Sequence, residues 1–308
     1  MLVIAHLGNS FGISPFVFYL VNSLLKQRNK AYTTTLPTIR MNDRYKNHQF
    51  FSPEHIYDYE NIQQYNNPKI NSENIRIGSL SFQWHVAGKK EKERVKGEWI
   101  KIIPNLNKVK RISIACGINQ EILDIFCDLP NLTDLIIDSS KATDLNPVLK
   151  LTKLKRLELE RFTQLKDISP IAKIELTHLR IENSFKVENY EKIGQITSLI
   201  GLSLNGDTFA PKNLRLKSLK PYENLKKLKH LDLNSASIID KNSYKSLLEL
   251  KSLVRFDILV IVPKEIKKVI LENHKTLNSG NFTDWDDKNK RYYDNKDWEI
   301  KKLEELKK

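Results

Sequence analysis

Residues Gly8 to Gly12 read G-N-S-F-G. That spacing fits G-x-S-x-G, the sharp strand-to-helix turn that lifts a serine hydroxyl out for acyl transfer. On this pattern Ser10 would be the nucleophile of a serine hydrolase. Such a nucleophile needs oxyanion donors from an earlier strand loop, and an acid and a histidine later in the chain. Only nine residues stand ahead of Ser10, too few for the earlier strand. Downstream histidines fall mostly in the N-terminal cap region (His48, His55, His85) or on repeated strands (His178, His230). No catalytic residue is therefore assigned, and the serine hydrolase stands as the alternative to a non-enzyme.

Metal chemistry fares no better. His178 and His230 lie too far apart along the chain for a two-histidine site with a carboxylate. Cys116 and Cys127 lack C-x-x-C spacing and are expected to be reduced thiols. Asp284, Asp286, Asp287 and Asn289 place no glycine or glutamate where a calcium loop needs them, so they read as a turn. The expectation is no metal and no cofactor.

The formal net charge is +14, so polyanions must be weighed as partners. Basic residues cluster in "KNLRLKSLKP", with Lys212, Arg215, Lys217 and Lys220, and in "KKEKERVK" at 89–96. Nucleic acid binding through these segments is a second alternative, not the favoured one. The first 25 residues carry no charged side chain, but Gly8, Asn9, Gly12 and Pro15 interrupt the apolar run. It falls short of the roughly 20 residues a membrane span needs. A membrane role is not favoured, and the cytoplasm is the expected compartment. An N-terminal anchor with the rest of the chain in the cytoplasm is the alternative.

The elements that must position any site come from a repeat. Ile103, Leu106, Val109, Ile112 and Ile114 step by three and close with a step of two. The pattern recurs down to Leu247, Leu250, Leu253, Phe256 and Ile258. Its penultimate positions are Ile112, Leu135, Leu157, Leu179, Leu202, Leu231 and Phe256, separated by 23, 22, 22, 23, 29 and 25 residues. The closing step has strand period, so its two aliphatics share a face. One unit cannot bury that face alone, whereas stacked units make a continuous core.

"LPNLTDLIID", "LTKLKRLELE", "ITSLIGLSLN" and "LKKLKHLDLN" resemble the L-x-x-L-x-x-L-x-L segment of the leucine-rich repeat family. "DISPIAKIELTHLRIENS" is similar to the short repeat of bacterial internalin-like proteins. The resemblance covers 103–261, about half the chain. It implies an α/β fold, a right-handed solenoid with a curved parallel sheet on its concave face and short helices or turns on its convex face. It also implies binding rather than catalysis. The places the family gives to a ladder of asparagines hold Gly117, Ser140, Phe162, Ser184, Asp207, Ala236 and Ile261, so an irregular solenoid is expected.

Strand residues flanking the core aliphatics point outward and form columns. The first column holds Arg111, Asp134, Arg156, His178, Gly201, His230 and Arg255. The second contains Glu158, Arg180, Asp232 and Asp257, and the third Asp138, Glu160 and Glu182. An acidic stripe thus runs beside a partly basic one, with few aromatics for stacking bases. The expected partner is a protein of unknown identity, met by a monomer. The expected contacts are Arg111, Asp134, Asp138, Arg156, Glu158, Glu160, His178, Arg180, Glu182, His230, Asp232 and Asp257, with Lys212, Arg215 and Lys217 on a loop at 206–221. The domain expectation is an apolar segment at 1–40, an N-terminal cap at 41–102, about seven repeats at 103–262, and a C-terminal cap with a charged tail at 263–308.

Overall fold

A computed structural model describes residues 58–78, 88–207, 212–286 and 291–292. Ser10, the 1–40 segment and the charged tail lie outside these residues. All the described residues belong to one compact unit, Asn47–Lys308.

Among the described residues nine strands form one parallel sheet in chain order. They are β1 (Glu60–Ile62), β2 (Asn74–Ile77), β3 (Arg111–Ile118), β4 (Asp134–Ser140), β5 (Arg156–Glu160), β6 (His178–Glu182), β7 (Gly201–Asn205), β9 (His230–Asp232) and β11 (Arg255–Asp257). The step-of-two aliphatics are their inward residues. Leu135, Leu157, Leu179 and Leu202 are fully buried in one row. Opposite the sheet run 3-10 turns at Asn146–Lys150, Ser169–Lys173, Tyr190–Gln195, Lys220–Asn224 and Lys241–Glu249. Pro147, Pro170 and Pro221 each stand in the first turn, where no N–H partner is lost. After β3 a helix, α2 (Gln120–Phe126), takes this place, with the Asn119 side chain accepting the Ile122 N–H at 3.1 Å.

A recurring hydrogen bond stacks the units. The carbonyl before each strand accepts two N–H groups of the next repeat. Lys110 does so for Thr133 and Asp134, Thr133 for Lys155 and Arg156, and Lys229 for Val254 and Arg255. The missing asparagines are replaced in part by serine. Ser140 Oγ donates to the Ile118 carbonyl and accepts the Ala142 N–H, and Ser184 Oγ accepts the Phe162 N–H. Pairing is accordingly continuous across the sheet. The one register shift in the β3–β4 ladder lies between Ile114 and Gly117.

The sheet extends two strands, β1 and β2, ahead of the first recognised repeat. The helix α1 (Lys89–Ile102) follows them and buries Val95 and Trp99. At the other end the Val254 carbonyl takes the N–H groups of Asn278 and Ser279, as though a further repeat began there. The helix α3 (Lys264–Asn273) buries Ile266 and Ile270, and the Phe282 ring lies 5.0 Å from that of Phe256. Gly280, at φ +103, lets the chain close over Phe256; a Cβ there would lie 2.2 Å from the Phe256 carbonyl oxygen.

The 206–221 segment is not simply a loop. Leu214 and Leu216 are buried and make β8 (Leu214–Leu216), which pairs with β10 (Ala236–Ile238) in a second parallel sheet. Alternation of buried and exposed residues in L-R-L is what an edge strand over a core produces. Residues 208–211 lie outside the described ones. No helix among the described residues is long and apolar enough to cross a membrane.

Candidate protein-binding face

Register places Arg111, Asp134, Arg156, His178, Gly201, His230 and Arg255 in one row across the sheet. The first predicted column is therefore a physical row. The stripes do not stay separate, however. Arg111 Nη1 lies 3.0 Å from Glu73, and its Nε 3.7 Å from Asp134. Arg156 reaches Asp134 at 3.3 Å and Glu158 at 3.2 Å. Arg180 stands 3.7 Å from Glu158 and closes a tight pair with Glu182. Seven alternating charges, from Glu73 to Glu182, form one chain crossing columns and strands.

This chain joins the expected acidic and basic stripes into one paired network, much of it buried. Asp134, Arg156 and Glu158 are buried, at 9%, 7% and 6% exposure. Burial pushes the Glu158 carboxyl upward in pKa, opposed by Arg156 and Arg180. Tyr59, just ahead of β1, lies in the same field: burial first, then Asp134 and Glu158, raise its phenol well above the usual range. Glu73 and Tyr59 were missed in the sequence because no leucine run announces β1 or β2.

Asp138, Glu160, Glu182 and Arg180 are only half-buried. Glu160 stands directly opposite Glu182. Burial raises its carboxyl, Arg161 opposes that, and Glu182 and Asp138 add to it. Arg161 also pairs with Glu160 from a left-handed conformation, φ 50, repeated one unit later at Asn183, φ 53.

Across the row, His178 and His230 flank Gly201. Burial, then Arg156, pushes the His178 imidazole down to about 3; burial, then Arg255, pushes His230 down to about 4. Both are neutral at pH 7, and His178 Nδ1 lies 2.8 Å from Thr177 Oγ1. Asp232 accepts from Ser203 Oγ and Asn205 Nδ2, each at 3.0 Å, and from the Asn234 N–H. Asp257 pairs with Arg255 and accepts the Asn281 N–H at 3.0 Å. The structure thus splits the twelve predicted sheet residues. Six join the charge chain, Asp232 and Asp257 hold the last repeats, and the others line the row or the strand ends. Among the described residues no group of three histidine, cysteine or acidic side chains could hold a metal.

Lys212, Arg215 and Lys217 sit apart from this face, exposed around β8. Lys212 Nζ lies 4.0 Å from the Phe185 ring centroid.

No protein-family model matches the chain, and no curated protein matches it. Among solved structures, an internalin from Listeria monocytogenes is similar at 20% identity and TM-score 0.35, over 57% of this chain and 68% of that one. Internalin C2 of the same organism is similar at 21% identity and TM-score 0.38, over 59% and 82%. A leucine-rich repeat protein of Leptospira interrogans shares 18% identity at TM-score 0.44, over 58% of this chain and 50% of that one. The chain's own repeat spacing, its parallel ladder and the 3-10 turns opposite it make its fold a leucine-rich repeat solenoid.

Proposed function

We propose that the chain is a non-catalytic recognition module. It binds a protein partner through the outward sheet face and the basic edge at 206–221. One observation carries the reading: the reachable charges Arg180 and Glu182 stand on a buried, mutually paired base formed by Asp134, Arg156 and Glu158, with Glu160 directly opposite Glu182. A fixed charge pattern of this kind confers specificity at little ordering cost on binding. Asp138 extends the pattern at the strand ends.

The test is affinity capture with mass spectrometry, followed by calorimetric titration of the purified partner. Glu160→Lys/Glu182→Lys is expected to weaken binding at least tenfold. Unchanged affinity in that variant rejects the sheet face as the contact surface.

A further inference from the structure

Lys212, Arg215, Lys217 and Lys220 are exposed around the β8–β10 sheet, and Lys241 beside them is half-buried. Among the described residues none of the five has a carboxylate within ion-pair distance. Some lysines elsewhere do: Lys150 with Asp128, Lys155 with Glu175, Lys166 with Glu188 and Lys226 with Glu249. Asp240, the nearest acid in sequence to Lys241, accepts the Asn242 N–H at 3.1 Å and faces the Ser218 hydroxyl at 3.5 Å. Among the described residues the five cations thus make no ion pairs on this edge and outnumber its acids, Asp240 and Asp207, the latter bridged to Lys212 through the backbone.

The edge is also rigid. Leu214, Leu216 and Leu219 are buried beneath it. The Asp240 N–H donates to the Lys217 carbonyl at 2.9 Å, and the Leu219 N–H to Ser243 Oγ at 3.0 Å. Gly206 is needed for the close approach: a Cβ there would lie 2.1 Å from the Lys212 carbonyl oxygen. Beside Lys217 stands Ile239, 55% exposed, whose N–H donates to the Leu216 carbonyl at 2.9 Å.

We propose that this edge docks an acidic protein segment carrying an apolar side chain among its carboxylates. The claim rests on the recognition reading above and names the partner's chemistry. Fixed positive charge favours an anion. The exposed Ile239 favours a protein over a phosphate backbone. Single-stranded nucleic acid wants bare aromatic faces, whereas Lys212 covers the Phe185 ring and Lys241 lies 5.9 Å from that of Tyr244.

The test uses fluorescence anisotropy with the full chain at 50 and 300 mM NaCl. Probes are a labelled 15-residue peptide of Glu-Glu-Leu repeats and a DNA duplex of matched charge. The peptide is expected to bind at least tenfold tighter than the duplex. Arg215→Glu/Lys217→Glu/Lys220→Glu should weaken it at least tenfold, and Ile239→Ser several-fold, with unchanged circular dichroism melts. No peptide binding, equal binding by the triple variant, or tighter duplex binding overturns the proposal. Glu160→Lys/Glu182→Lys is expected to leave peptide affinity unchanged. Loss of the captured partner in that variant, with no effect of the triple variant on either ligand, defeats this inference and leaves the recognition reading standing.

Discussion

The Ser184 hydroxyl accepts the backbone N–H of Phe162, exactly one repeat earlier, at 3.1 Å. It also donates to the Glu182 carbonyl at 3.0 Å. Both Ser184 and Phe162 are fully buried. Ser184→Ala would leave the Phe162 N–H without a partner, at a cost of about 1–3 kcal/mol. Chemical denaturation should show this as a lower midpoint with an unchanged slope.

Arg156 is held between two buried carboxylates, Asp134 and Glu158. Removing one partner of a buried pair costs about 3–5 kcal/mol, because the remaining charge keeps its desolvation penalty. Arg156→Ala should fall in that range. Arg156→Leu/Glu158→Leu should cost less than the sum of its single changes, a coupling that a double-mutant cycle measures.

Acid should act through His178 and His230. Their folded pKa values, about 3 and about 4, lie below the unfolded imidazole value. In that window the unfolded chain binds more protons, so stability is lost as pH falls from about 6.5 towards 4, by at most about 1.4 kcal/mol per pH unit for each imidazole. Glu158, Glu160 and Asp232 act in the opposite sense, since their raised pKa values favour the protonated folded form. His178→Gln/His230→Gln should therefore flatten the fall of Tm between pH 6.5 and 4. Parallel Tm profiles for variant and parent would remove the imidazoles as the cause.

Gly194 permits a close backbone contact between repeats. A Cβ there would lie 1.9 Å from the Pro221 carbonyl oxygen and 2.6 Å from its carbon. Neither atom is the end of a flexible side chain, so Gly194→Ala must displace the Lys220–Asn224 turn. Overpacking of this kind costs about 1–3 kcal/mol or more, and a thermal melt should show it against Gly97→Ala, mid-helix with nothing within 4 Å, which should instead stabilise by about 0.5–1 kcal/mol.

The L-x-L steps made the outward columns legible, because parallel pairing keeps equivalent residues opposite one another. Arg111, Asp134 and Arg156 fall in one row for that reason. The charge chain was hidden because two of its six links run along a strand. Arg156 and Glu158 are two residues apart and share a face, so they meet as readily as cross-strand neighbours. "NIRI" at 74–77 has the alternation of a strand but no leucine approach, so it read as part of the N-terminal cap rather than of the repeat sheet, and Glu73 was left out of the face. Ser140 and Ser184 looked like a broken ladder when read by residue type. Their hydroxyls nevertheless bond backbone between repeats, so the function survives the substitution.

The long unit between β7 and β9 changes how the molecule would bear load. Five residue pairs join β6 to β7, but only three join β7 to β9. The β8–β10 ladder adds three more pairs alongside. Under tension along the solenoid axis, load passes from one wide seam to two narrow ones. Six pairs cross this seam in all, twice the three that join β9 to β11, so the second ladder braces the long unit where the main sheet narrows.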